Sequence, residues 1–593
     1  MGDRAMKTSL FFTAFLTTII FSTIGYSQNV LVEIEHLRPA RLEMGGFQIN
    51  SNQEVNIEAV GLHQKSGRHE IILGTAWILN ASTRQVVWSY QPTKLRRYHL
   101  EVKEQKDKMN LTDGNYEVYY STYPYFRQIN DHYSYRGIGH FISNFFDNFF
   151  DNDYDYNLDD YDYYDDFADK FKILVEGKGK KLDKREVEKI QENLRKEAAI
   201  SLKAFKDNLY LTQGFEIKNP VDINIYAIGE ARKDGNFDYG WIINTETREK
   251  IWKLDYYESE HAGGSNKNRM VNETLSLPPG RYAAVYITDD SHSPHEWNSA
   301  VPYDPAFWGL TINLKNPTDN QYLSKFDYHN IDDNKILYSL NRLHDDDYEF
   351  QGFILKKPMD LRVYAIGEGR DGEMFDYGWI VDANTHKNVW EMDYYDTDHA
   401  GGSQKNRLID QTISLEKGNY IAYFATDGSH SYGNWNDSQP YDPDHWGLTI
   451  LAANENFSRN DISDYQERAN KNVLAQITRV RNDENIRDKF SLKKDSEVRI
   501  YAIGEGTDGS MYDYGWIEDS NSGRVVWDMS YRRTNYAGGA RKNRLIDDTI
   551  SLPKGEYEVF YESDDSHSFN DWNDAPPWDL MNWGISVYLI QER

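Results

Sequence analysis

At 593 residues the chain is too long for one hydrophobic core, and length alone points to about four domains. A formal net charge of −29 repels phosphate backbones and argues against nucleic acid as a partner. The absence of cysteine excludes disulfides, thiol catalysis and Cys-zinc sites, and 44 tyrosines suit strands and contact surfaces better than helical bundles.

The first 28 residues read as a signal peptide. Arg4 and Lys7 form a basic end, an apolar run spans Leu10 to Ile20, and Gly25 to Gln28 make a small, polar cleavage zone. The expectation is export, to the periplasm, cell surface or medium, with no transmembrane segment once the signal is removed. Residues 29–180 follow as a degenerate sandwich repeat. It carries an acidic Asp/Tyr insertion at 145–168, with nine Asp and no Lys or Arg between 147 and 166. Lys181 to Lys206 is rich in Lys, Glu, Leu and Ala and reads as helical, with a linker at 181–195.

Three closely similar repeats then occupy 196–316, 334–453 and 471–593. Tyr-Ala-Ile-Gly-Glu recurs at 226–230, 364–368 and 501–505, and Asp-Tyr-Gly-Trp-Ile at 238–242, 376–380 and 513–517. Ala-Gly-Gly, Lys-Asn-Arg, Ser-His-Ser, Trp-Asn and Trp-Gly follow in the same order in each copy. The front segment aligns with these on framework positions, with Phe47–Gly61 on Phe490–Gly504 and Trp77 and Trp88 on Trp516 and Trp527, but has none of the polar motifs. Runs such as Leu361-Arg362-Val363-Tyr364-Ala365-Ile366 alternate apolar and polar residues, which is the period of half-buried strands. The predicted fold class is all-β: four tandem β-sandwich, jelly-roll-like repeats, with a helical linker between the first and second.

Phe490-Ser491-Leu492, the stretch Asp513 to Asp519, Leu552 to Val559 and the closing strand Ile585 to Leu589 together resemble the bacterial pre-peptidase C-terminal domain. That resemblance implies a calcium-associated β-sandwich appended to secreted proteins. The long segment from Ser-His-Ser to Trp-Gly departs from the pattern, and no ligand residue is carried over.

Residues kept by copies two to four and missing from copy one are the site candidates. Each full copy offers five carboxylates, of which Asp238, Asp376 and Asp513 open a strand. The other four are the candidate metal ligands: Glu230, Asp234, Asp289 and Asp304 in copy two; Glu368, Asp371, Asp427 and Asp442 in copy three; Glu505, Asp508, Asp564 and Asp579 in copy four. Calcium takes about six to eight oxygens from carboxylates, carbonyls and water, so loops converging at one end of a sandwich suit it. The structural alternative is a network in which Arg269, Arg407 and Arg544 pair with Asp, and Asn268, Asn406 and Asn543 tie turn backbone.

Ligand-binding candidates are Arg269, His292, Trp297 and Asn298, then Arg407, His430, Trp435 and Asn436, then Arg544, His567, Trp572 and Asn573. A loop Trp beside Asn and Asp suits stacking on a sugar ring or anchoring a protein; otherwise it is a lid on its own domain. One His per copy beside Ser raises a catalytic triad, but adjacent Ser and His rarely reach that geometry, and no catalytic residue is assigned. The expected function is a secreted, non-catalytic binding or adhesion protein for a glycan or protein ligand, with three equivalent sites and calcium as the cofactor expected. A structural envelope protein and a carboxylate-dependent glycan hydrolase are the alternatives.

Overall fold

In the computed structural model of the full chain, residues 30–38, 40–66, 69–91, 100–128, 169–328, 335–454, 457–465 and 472–590 are described. The expected signal segment and the acidic insertion lie outside them. The chain divides into two compact units, Met1–Phe326 and Asp327–Arg593. Both are built of antiparallel sheets, as the period-two alternation predicts. No helix among the described residues is long and apolar enough to cross a membrane.

Copy three shows how the sequence builds the sheets. One sheet runs Ile336–Asn341, Gly447–Ala452, Met359–Arg370, Asn406–Leu415 and Asp398–His399; the other runs Lys387–Glu391, Tyr377–Asp382, Gly418–Ala425, Tyr348–Leu355 and Ile462–Asp464. Along Met359–Arg370, Leu361, Val363 and Ala365 are fully buried. Arg362, on the opposite face, donates from Nε and Nη2 to the two Asp410 oxygens at 2.7 and 2.6 Å. Copy four repeats this: Val498 and Ile500 are buried, while Arg499 grips Asp547 at 2.7 and 3.0 Å. Its sheets take the strands Val473–Thr478, Gly584–Leu589, Ser496–Thr507 and Asn543–Leu552, and Asn485–Leu492, Gly555–Glu562, Tyr514–Asp519 and Arg524–Asp528.

In the first unit, Leu42–Ile49, Gly114–Ser121, Thr75–Asn80 and Val86–Ser89 form one sheet of copy one, with Gln53–Ser66 at the heart of the other. The strand registers set Leu62 of copy one where copy four has Glu505, Gly74 where it has Asp513, and Phe171 where it has Trp583. Copy one thus keeps the two-sheet framework and has Leu62, Gly74 and Phe171 at the positions of the polar end.

Two boundaries differ from the sequence reading. The helix runs only Lys184–Glu197, opened by Asp183 and Glu186 in a reciprocal capping box. Before it Lys180–Leu182 is a strand, and after it Ile200–Lys203 pairs with Gly309–Ile312. Ile-Ser-Leu-Lys alternates, and that local period prevails over the Lys/Glu-rich composition. In addition, Leu323–Phe326 and Ile462–Asp464 add edge strands to copies two and three beyond the expected ends at 316 and 453.

Candidate functional site

Three strand ends bring the polar residues together, and copy three is representative. Glu368 lies two residues before the end of the strand Met359–Arg370, Asp376 precedes Tyr377–Asp382, and Asp427 follows Gly418–Ala425. The Glu368 carbonyl accepts from the amides of Phe375 and Asp376 at 2.7 and 3.1 Å, which sets Asp376 beside it. Gly367 permits this approach: a Cβ there would lie 2.0 Å from the Asp376 carbonyl oxygen. Asp376 Oδ1 accepts from the Asp427 amide at 2.8 Å and Oδ2 from the Trp446 indole at 3.1 Å. Asp427 Oδ1 in turn accepts from the Ser429 amide at 2.9 Å. Glu368, Asp376 and Asp427 each offer an oxygen within 4.8 Å of the others, as do Glu505, Asp513 and Asp564 in copy four, and such groups can hold a metal ion.

Burial dominates their electrostatics. It pushes Asp376 well above the usual carboxylate range and Asp513 up to about 8; Glu368, Glu505 and Glu230 are raised for the same reason. Lysine opposes this in copies two, three and four. Lys267, Lys405 and Lys542, from Lys-Asn-Arg, reach Glu230, Glu368 and Glu505 at 2.9, 2.9 and 3.2 Å. Sequence reasoning took the Asn and Arg of that motif and passed over the Lys, although its retention in three copies was the available signal.

The lysine leads into a chain of amides around the histidine. Lys405 Nζ donates to Asn436 Oδ1 at 2.5 Å, and His430 bridges Asn436 and Asn406 through Nδ1 and Nε2 at 3.0 and 2.6 Å. Asn406 ties turn backbone, as expected, donating to the carbonyls of Gly401 and Ser438. His292 and His567 make the same contacts with Asn298 and Asn268, and with Asn573 and Asn543. All three histidines are fully buried at positive φ, a conformation held by these ring contacts. Burial, with the nearby lysine, lowers His430 to about 4 and His567 to about 3 and prevails over the amide oxygens that face both ring nitrogens and favour the charged ring; the neutral ring donates to one of the two. Both ring nitrogens being committed to amides, no Ser–His dyad forms; Ser293, Ser431 and Ser568 have buried hydroxyls without partners.

The tryptophans of the Trp-Asn pairs pack inward. Trp297 is 6 % exposed, and Trp435 and Trp572 are half-buried. Each meets the closing tryptophan edge-to-face, at 5.0, 4.9 and 5.0 Å, with the histidine against both. They are lids on their own cores, not open stacking platforms.

Three further expectations need correction. Arg269, Arg407 and Arg544 pair with no Asp. Arg407 donates to the Thr397 hydroxyl and carbonyl at 2.8 and 2.5 Å with its guanidinium 4.7 Å over Tyr394. Arg544 does the same with Thr534 and Tyr531, and Arg269 with Ser259 and Tyr256. Asp234, Asp371 and Asp508 stand exposed at hairpin tips and are not equivalent. Asp371 and Asp508 take positive φ in the first turn position, before Gly372 and Gly509, whereas Asp234 holds the second.

Asp304, Asp442 and Asp579 do not join the carboxylate group either. Each precedes a short 3-10 turn and takes other partners. Asp304 accepts from the Tyr226 hydroxyl at 2.9 Å and pairs with Arg84 of copy one, Nη2 to Oδ1 at 2.6 Å. Asp579 pairs with His386 of copy three at 2.8 Å and accepts from Asn582. Asp442 accepts from Tyr328 and Tyr364 at 2.7 and 3.1 Å, with His445 at 3.0 Å. Two of these are joints between consecutive copies, and in both an indole reinforces the contact. Trp77 donates to the Tyr303 carbonyl at 2.5 Å, and Trp379 to that of Trp578 at 2.7 Å.

No protein-family model matches the chain, and no curated protein matches it. Solved structures with some likeness include the CUB1-EGF-CUB2 domains of rat MASP-1, at 12% identity and TM-score 0.13, covering 42% of this chain and 93% of that one. The CBM32-1, CBM32-2 and M60 catalytic domains of Clostridium perfringens ZmpB match at 9% identity and TM-score 0.13, covering 65% and 53%. Overlap at this level bears on neither fold nor function; the all-β assignment rests on the strand ladders.

The Ala-Gly-Gly turn supports the whole end. Gly402 has φ +66, and a Cβ on it would fall 2.0 Å from the Gln439 carbonyl oxygen. Gly402→Ala is therefore expected to cost about 1–3 kcal/mol, read as a lowered midpoint in thermal unfolding of the second unit's transition.

Proposed function

We propose that the chain is an exported, non-catalytic array of four sandwiches that binds a glycan or protein surface. The reading is carried by two aromatic side chains. Tyr257 and Tyr395 are 75% and 81% exposed, at the same place in copies two and three. Each follows the tyrosine on which Arg269 or Arg407 lies, so the loop beneath is pinned by cation–π and backbone contacts. A large, rigid, amphipathic ring on a fixed loop gives contact area at low entropic cost, and two on one chain add avidity. Copy four carries Arg532 at this position.

Immobilised glycan and protein arrays test the reading. The wild-type chain is expected to be retained, and Tyr257→Ser with Tyr395→Ser to weaken apparent affinity at least about tenfold without moving the melting midpoint. Retention unchanged in the double variant, absence of retention on every array, or turnover of a polysaccharide by the wild type would each overturn it.

A further inference from the structure

Copies two, three and four share the Glu–Asp–Asp arrangement, yet they neutralise it differently. In copy two both Glu230 oxygens are occupied: Oε2 by Lys267 at 2.9 Å and Oε1 by Arg232 at 3.1 Å. In copies three and four only the lysine is present. Glu368 Oε2 and Glu505 Oε2 are buried without any hydrogen-bond partner, on side chains just 8% exposed. A buried carboxylate oxygen with nothing to accept from is costly and unusual in a settled protein interior.

The position of Arg232 explains the contrast. Counting from the glutamate, it corresponds to Arg370 in copy three and Thr507 in copy four. Arg370 is turned outward, 74% exposed, and pairs with its neighbour Asp371 at 3.2 Å. In copy two that neighbour is Lys233, which holds no guanidinium outward. Thr507 brings no charge. With all three carboxylates ionised, as cation binding requires, one ammonium leaves two negative charges to be met in copies three and four, whereas copy two has Arg232 as a second internal cation.

We propose that copies three and four each bind one hard divalent cation of the calcium class, through Glu368, Asp376 and Asp427 and through Glu505, Asp513 and Asp564, and that Arg232 takes the cation's place in copy two. The donor set is all oxygen, with its ligand atoms within 4.8 Å of one another, which selects such an ion over zinc or copper. Among the described residues copy two forms no such group, in keeping with its internal cation. The ion balances the carboxylates once they are ionised and gives the orphaned glutamate oxygen a partner. It also ties three strand ends together at the end of the sandwich where the polar loops fold.

Calorimetric titration of the full chain with calcium, after chelation and in physiological salt, counts the sites. Two sites are expected, with dissociation constants at or below about 10⁻³ M. Glu505→Gln is expected to leave one. Arg232→Thr, which gives copy two the residue native to copy four, is expected to raise the count to three. No site at millimolar calcium, three sites in the wild type, or two remaining in Glu505→Gln overturns the cation assignment. If Glu505→Gln fails to fold by circular dichroism, Arg232→Thr decides: a count still at two removes Arg232 from its role and the proposal with it.

Discussion

Replacing Arg84 with alanine is expected to destabilise the first unit by about 3–5 kcal/mol. The guanidinium is 8% exposed and lies between Glu117, 1% exposed, and Asp304, 3% exposed. It donates from Nε and Nη2 to both Asp304 oxygens and from Nη1 and Nη2 to both Glu117 oxygens, with Phe307 4.4 Å beneath it. Two carboxylates hold Arg84 more firmly charged than a free arginine, while burial pushes Asp304 upward because one cation cannot fully serve two anions. Alanine would leave both acids buried with hydroxyls and one amide as their remaining donors: Tyr226 for Asp304, and Tyr119 and Gln191 for Glu117. The loss therefore reflects stranded charge more than a forfeited attraction. It follows that Arg84→Met combined with Glu117→Gln and Asp304→Asn should recover most of the stability, because no ion is left to desolvate. Urea denaturation of the full chain, followed by tryptophan fluorescence, separates the outcomes. A loss under about 1 kcal/mol in Arg84→Ala would mean that the pair is screened like a surface bridge.

The sandwich framework was legible because side-chain period maps directly onto strands, and because the chain aligns with itself. The carboxylate end was legible for the same reason: residues kept in three copies and lost in the first are those at the polar strand ends. The comparison fails where retention has two causes. Asp304 and Asp579 recur as faithfully as Glu230 and Glu505, but what they serve is a joint with the preceding copy, through Arg84 and His386. A sequence does not distinguish a residue kept for its own domain from one kept for the neighbour. Copy one carries the donor half of that joint on Arg84, while its own end is apolar. Arg269 and its counterparts misled differently. A cation in an acidic chain suggests a carboxylate partner, whereas here the loop backbone and a tyrosine face take it. The Trp-Asn tryptophans have polar neighbours in sequence and a second tryptophan in space, and only the fold supplies the latter.

Asp513→Asn is expected to make copy four acid-sensitive where the parent is not. His567 sits at about 3 in the fold against an ordinary 6.5, so as pH falls below 6.5 the unfolded chain takes up a proton that the folded one refuses. Stability contributed by the neutral histidine is complete above 6.5 and drains away toward the folded value, at about 1.4 kcal/mol per pH unit. Asp513 runs the other way. Its carboxyl is raised from 3.8 to about 8, so between those values the folded chain holds a proton that the unfolded one has lost. Its contribution is complete below 3.8 and declines as pH rises to 8, at the same limiting rate. In the parent the two slopes cancel from about 6.5 down to about 4, and the aspartate's decline stands alone from 6.5 to 8. Asparagine removes the aspartate's slope and leaves the histidine's: the decline above 6.5 disappears, and about 3 kcal/mol is lost between 6.5 and 4. A pH-independent penalty of about 1–3 kcal/mol accompanies it, since one amide cannot accept from both the Asp564 amide and the Trp583 indole as the carboxyl does. The difference between variant and parent in chelator, across urea titrations from pH 4 to 8, isolates the slope from that offset. A difference that stays constant over the range would mean that Asp513 titrates alike in the folded and unfolded chain, and that its burial carries no electrostatic cost.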